Sequence, residues 1–314
     1  MAAAPHAHHH HEPGHSHAPT AGADRRWLSV ALALIVGFMV VEVAAGVLAD
    51  SLALLSDAAH MLTDAGALAL ALVAARLAAR PPGGRYTFGL GRAEILSAQI
   101  NGAALLILAG VIAWEALQRL GDPPDVDGAV VLVVGLAGAA VNVAAAWALS
   151  RADRRSLNVQ GARAHVLVDL YGSLGAALAG LLVLVTGFAR ADTIVALLVA
   201  VLMVSSGWSL LSKATRVLLE GSPRGLDPQA IGHALAAHPG VREVHDLHVW
   251  EVTSGFPALS AHILVPAGED CHARRAELEQ LLAERFGLEH TTLQVEHEAG
   301  EGLIDIAPAK PAAR

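Results

Sequence analysis

Four residues in two apolar runs carry the chemistry of this chain: His60 and Asp64 in the second run, His165 and Asp169 in the fifth. Each pair is separated by four residues, which on an α-helix places both side chains on one face. Two such helices facing each other supply two imidazoles and two carboxylates, a tetrahedral set for a first-row metal, Zn²⁺ above all. The same donors leave Co²⁺, Ni²⁺, Fe²⁺ and Cd²⁺ open. With neutral histidines the two ionised aspartates are uncompensated, which is costly at low dielectric. One divalent cation cancels them, and so do two protons. Histidine titrates near neutral pH and metal affinity falls as ligands protonate, so exchange of metal for protons is the natural cycle.

The elements that must position these ligands follow from composition. The chain has 314 residues, 54% hydrophobic and 16% charged, and its apolar residues fall in blocks. Trp27 to Ala49, Leu52 to Ala75, Ile95 to Trp114, Gly128 to Leu149, about His165 to Ala189, and Thr193 to Ser212 are each long enough to cross a bilayer, which takes ~20 helical residues. The expectation is an α-helical membrane protein with six transmembrane helices. The runs are continuous in Ala, Leu and Val rather than alternating, which argues against a closed barrel. Arginines crowd the connections between spans two and three (Arg76, Arg80, Arg85, Arg92) and between spans four and five (Arg151, Arg154, Arg155, Arg163). Cytoplasmic loops carry the Lys/Arg excess, so both termini are expected in the cytoplasm, with the protein in the inner (plasma) membrane.

Outside the membrane, residues 1–24 read as a disordered, His-rich tail and residues 25–220 as the transport domain. The tail holds seven of the 17 histidines (His6, His8, His9, His10, His11, His15, His17), a metal-binding composition. Its His11-Glu12-Pro13-Gly14-His15 fits the zinc-protease spacing, but that motif works only on a helix, which Pro13 and Gly14 oppose. Residues 221–298 read as a cytoplasmic α+β domain. Asp227-Pro228 opens a helix, and strands Val241 to Val252 and Ala258 to Val265 flank a Ser254-Gly255 turn. Glu269 to Phe286 is helical up to Gly287, and Thr291 to Glu296 alternates as a last strand. This αββαβ order predicts a sheet with helices on one side. Residues 299–314 read as a second disordered tail. A single cysteine, Cys271, excludes an internal disulfide, and no basic patch with interleaved aromatics points to nucleic acid.

Longer motifs surround the ligand pairs: Ser51-Leu-Ala-Leu-Leu-Ser-Asp-Ala-Ala-His-Met-Leu-Thr-Asp64, Tyr86-Thr-Phe-Gly, Arg92-Ala-Glu-Ile-Leu with Asn101, His165 to Asp169, and Val244-His-Asp-Leu-His-Val-Trp250. Together they resemble the cation diffusion facilitators, in the zinc-transporting branch. The resemblance implies a homodimeric metal/proton antiporter with a metallochaperone-like cytoplasmic domain and a transport site at His60, Asp64, His165 and Asp169. It places family metal ligands of the soluble domain near His245, His262, His272, Gln294 and Glu296. The glutamine reduces that set to one regulatory Zn²⁺ site involving His245 and His262, with Glu296 third. The loop Ala79-Arg-Pro-Pro-Gly-Gly-Arg-Tyr86 lacks histidine, so the family's loop site is not carried over.

The resulting expectation is a Zn²⁺/proton antiporter that exports metal, a secondary active transporter suited to metal resistance and not an enzyme. Its partners are divalent ions, protons, the bilayer and a second copy of the chain. The alternative is a membrane metal sensor that binds Zn²⁺ and signals through its soluble domain without flux. Glu42, Asp57 and Asn142 are further intramembrane polar groups, suited either to a water path or to interhelical hydrogen bonds.

Overall fold

The computed structural model describes residues 21–48, 52–121, 127–152, 156–188 and 190–298. The histidine run at 6–17 and the tail from 299 lie outside them. Six long helices come first: α1 (Ala21–Leu48), α2 (Leu52–Ala78), α3 (Arg92–Arg119), α4 (Gly128–Leu149), α5 (Leu157–Thr186) and α6 (Arg190–Leu218). Among the described residues, stretches in α3, α4, α5 and α6 are long and apolar enough to cross a membrane. α1 takes in residues 21–24, which the sequence had assigned to the disordered tail. Alanines 21 and 23 favour helix, and Asp24 in the first turn suits the positive end of the helix dipole.

α3 and α5 also run beyond their apolar blocks. Ser156 caps α5, its hydroxyl accepting from the Val159 amide at 3.3 Å. That cap starts the helix two turns before His165. Asp127 caps α4 in the same way, accepting from Ala129 and Val130. α4 and α5 approach backbone to backbone: a Cβ on Gly180 would lie 2.6 Å from the Leu132 nitrogen. On α2, by contrast, a Cβ on Gly66 would have nothing within 4 Å. A dry cluster of Leu28, Ala31, Ile35, Leu68, Ala71, Leu72, Ala162 and Val166 joins α1, α2 and α5.

The C-terminal soluble domain follows with α7 (Pro228–Ala236), β1 (Glu243–Thr253), β2 (Phe256–Val265), α8 (Cys271–Phe286) and β3 (His290–His297). Its sheet has the order β1-β2-β3, with β1 antiparallel and β3 parallel to β2. Ile231 and Leu235 of α7 and Leu278 and Leu282 of α8 are fully buried against Leu259, Ile263 and Val265, so both helices share one face.

The β1–β2 turn reaches the helical bundle. Ser254 Oγ accepts from the Leu157 amide at 3.1 Å, supplying a partner for one of the unpaired donors at the start of α5. Ser156 donates to the buried Glu94 of α3 at 2.9 Å. Arg92 donates to the Val252 carbonyl at 3.2 Å and pairs with Glu220 at 3.1 Å.

Candidate metal centre

α2 and α5 come together at three of the four sequence-predicted ligands, Asp64, His165 and Asp169. His165 sits two turns into α5 and is 3% exposed; Asp64 on α2 is 5% exposed. Their side chains meet at 2.8 Å, His165 Nε2 to Asp64 Oδ1. Asp169, one turn beyond His165, brings Oδ2 to 4.0 Å from the same nitrogen. One ligand atom from each of the three falls within 4.8 Å of the others, the one such His/Cys/Asp/Glu group among the described residues. His60 belongs to α2 one turn before Asp64; its side chain is outside the described residues, as are those of Asp57 and Glu42.

Two atoms of this group have no hydrogen-bond partner, His165 Nδ1 and Asp169 Oδ2. An unpaired carboxylate oxygen beside a buried imidazole is a costly arrangement that a bound cation or a proton relieves. Asp64 and Asp169 also line a cavity of about 700 Å³ with Phe38, Ile112, Val134 and Val195. The cavity runs from Asp64 and Asp169 along the halves of α3 to α6 that lie away from the soluble domain, as far as Arg119 and Val130. Asn142 lines it too and donates to Ser173 at 3.4 Å, while Ser173 donates to the Asp169 carbonyl at 2.8 Å. Asn142 thus makes one of the interhelical hydrogen bonds that the sequence left open for it.

The soluble domain gathers a second set. His245 and His262 pair across β1 and β2, with ring centroids 5.4 Å apart. A bulge between His245 and His248 puts Asp246 at φ 53°, a conformation aspartate tolerates. Asp246 accepts from His248 at 2.9 Å and lies 4.0 Å from His262 Nε2. That hydrogen bond, then the charge of His248, holds the Asp246 carboxyl below its usual range. Glu296 accepts a hydrogen bond from Gln294. In the described state the ligand atoms of His245, His262 and Glu296 lie farther apart than those of the first three. His272 lies at the start of α8, where its amide is held by the Asp270 carboxylate.

Sequence reasoning missed Asp246, Ser254 and Asn158. Asn158 is completely buried and lies seven residues before His165, the i, i+7 stripe that a systematic walk along the helix would have reached.

Residues 28–219 match the cation efflux transmembrane domain, and residues 223–298 match the cytoplasmic domain of cation efflux proteins. The "Cadmium, cobalt and zinc/H(+)-K(+) antiporter" of Bacillus subtilis is 38% identical over 294 residues, covering 91% of this chain and 93% of that protein. The "Zinc transporter ZitB" of Escherichia coli is 39% identical over 296 residues, covering 94% of each chain. Among solved structures, the metal-bound C-terminal domain of the CzcD transporter from Cupriavidus metallidurans is 35% identical. It covers 23% of this chain and 99% of that one, with a TM-score of 0.22.

Proposed function

This chain belongs to the cation efflux family, and from that premise we propose that it is a Zn²⁺/proton antiporter exporting metal from the cytoplasm. The observation that carries the reading is the buried trio Asp64, His165 and Asp169 at the inner end of a cavity. His60 completes the tetrahedral site from α2. Zn²⁺ is the transported substrate. It binds as the ligands lose protons and leaves as protons return, so the carboxylates are neutralised in both halves of the cycle. All six helices span the inner (plasma) membrane, with both termini cytoplasmic. Residues 25–220 carry transport, residues 221–298 form the cytoplasmic αββαβ domain, and two copies make the working dimer. His245 and His262, with Glu296, hold a regulatory Zn²⁺ there.

In this reading each described residue has a task. Asp64 orients His165 through their hydrogen bond and supplies a carboxylate ligand. Asp169, one turn away on α5, offers its free Oδ2. The cavity gives the metal and protons a wet route to the side away from the soluble domain. Helix α5 carries one imidazole and one carboxylate on a single face, so tilting it against α2 opens or closes the ligand set as a unit.

The test is Zn²⁺ flux into proteoliposomes under an imposed pH gradient. Wild type is expected to carry proton-driven flux that Asp64→Ala and Asp169→Ala each abolish. Metal binding without flux in the wild type would favour a sensor and sink the antiporter.

A further inference from the structure

On the soluble-domain side of the metal centre the packing has a specific form. Two asparagines reach from neighbouring helices to the backbone of α2. Asn158 of α5 donates from Nδ2 to the Ala71 carbonyl at 2.7 Å, and Asn101 of α3 donates to the Ala67 carbonyl at 3.5 Å. Ala67 and Ala71 lie three and seven residues past Asp64, about 4.5 and 10.5 Å along the helix at the usual rise. Both asparagines are buried, at 0% and 2% exposure, and neither lines the cavity. Along α2 and α5, Leu68 and Ala162 lie between them and the ligands, both fully buried.

These clasps are unfinished. Asn158 uses its amide nitrogen but leaves Oδ1 without a partner, and Ser97 Oγ, 2% exposed on the same stripe of α3 as Asn101, has none either. Buried polar atoms in settled packing are nearly always satisfied. An arrangement that strands two of them in one state is explained if another state of the protein wets them.

We propose that Asn101 and Asn158 form a gate that shuts the metal centre from the soluble-domain side, resting on the transporter reading above. In the closed state described here they tie α3 and α5 to α2. Opening breaks both bonds. The route then gains the Ala67 and Ala71 carbonyls, the two amide groups and the Ser97 hydroxyl, enough oxygen to pass a hydrated divalent cation to Asp64 and His165. The gate residues are positioning residues and do not ligate the resting metal.

The experiment reads access directly. In a Cys271→Ser background with Ala162→Cys, reconstituted protein is exposed to a membrane-impermeant thiol reagent on the soluble-domain side. Adding Asn158→Ala is expected to speed labelling at least fivefold, and Asn101→Ala to do so less, since its bond is longer. Rates within twofold of the parent for both variants would overturn the gate. As a second arm, cysteines replace Ala71 and Asn158 together. Oxidation to the disulfide is expected to stop Zn²⁺ flux and reductant to restore it; undiminished flux through fully oxidised protein would overturn the gate without relying on the alanine variants. If wild type carried no flux, the transporter reading would fail while the labelling result still decided the gate.

Discussion

The bundle and the soluble domain both bring histidine to aspartate, under opposite conditions. His165 and Asp64 meet at 2.8 Å with side chains 4% and 7% exposed, whereas His248 and Asp246 meet at 2.9 Å with side chains 64% and 58% exposed. Nearly equal distances therefore mean different things. Water and salt screen the exposed pair, so its attraction is worth little and either partner can be charged alone. The buried pair has no such recourse. Its carboxylate needs a cation or a proton at every moment, which supports the proposed exchange of the two at this site. Burial, more than residue type, separates a transport site from a surface cluster.

The sharpest way to break that comparison is the same substitution in both places. Asp64→Asn keeps the shape of the side chain and removes a ligand charge. It is expected to lower Zn²⁺ flux by on the order of 100-fold or more, above the 10–100-fold typical of losing a residue that only supports a ligand. Asp246→Asn is expected to leave flux within about twofold, in line with the small worth of an exposed pair. Equal losses from both would show that the soluble cluster takes part in transport and that exposure does not divide the two.

The two regions touch at the start of α5, and the next largest effect tests that contact. Ser254→Ala removes the acceptor for the Leu157 amide in a nearly buried position, 7% exposed. Loss of such a cap costs about 1 kcal/mol. Hydrogen exchange of the Leu157 amide is then expected to quicken by roughly fivefold, the rate equivalent of that figure, with Ser254→Thr restoring protection. Unchanged exchange at Leu157 would mean that the turn rests beside α5 without holding it.

How much of this was legible in the chain depends on the range of the cause. Asp64, His165 and Asp169 were found because a four-residue spacing inside an apolar run is local and the cost of burying charge is general. The αββαβ order was readable for the same reason, since Asp227-Pro228 and Gly287 mark helix ends within a few residues of sequence. The first turns of α5 were missed because Asn158, Gln160 and Arg163 dilute the apolar signal just where the Ser156 cap begins the helix. Ser254 was read correctly as a turn residue, yet its partner lies 97 positions away and only tertiary packing reveals it. Asp246 was passed over because a β-bulge, invisible in an alternating strand pattern, turns it toward His248 and His262. Periodicity reports local geometry; it is silent on which distant backbone group a polar side chain will find.

The smallest expected effect concerns a soluble-domain aspartate that owes its charge to hydrogen bonds. Asp270 caps α8, accepting from the His272 and Ala273 amides at 2.9 and 3.1 Å. The Ala273 bond first, then that of His272, holds its carboxyl below the ordinary aspartate range. A carboxylate held low in the folded state contributes stability that is present above the unfolded value near 4 and is lost as pH falls through the folded one. Protection of the first-turn amides of α8, corrected for intrinsic exchange, is therefore expected to decline as pH drops below about 4. Asparagine caps a helix without titrating, so Asp270→Asn should flatten that decline while leaving neutral-pH protection almost unchanged. A decline of equal size in Asp270→Asn would assign the acid response to some other group and overturn the claim that the α8 cap titrates through Asp270.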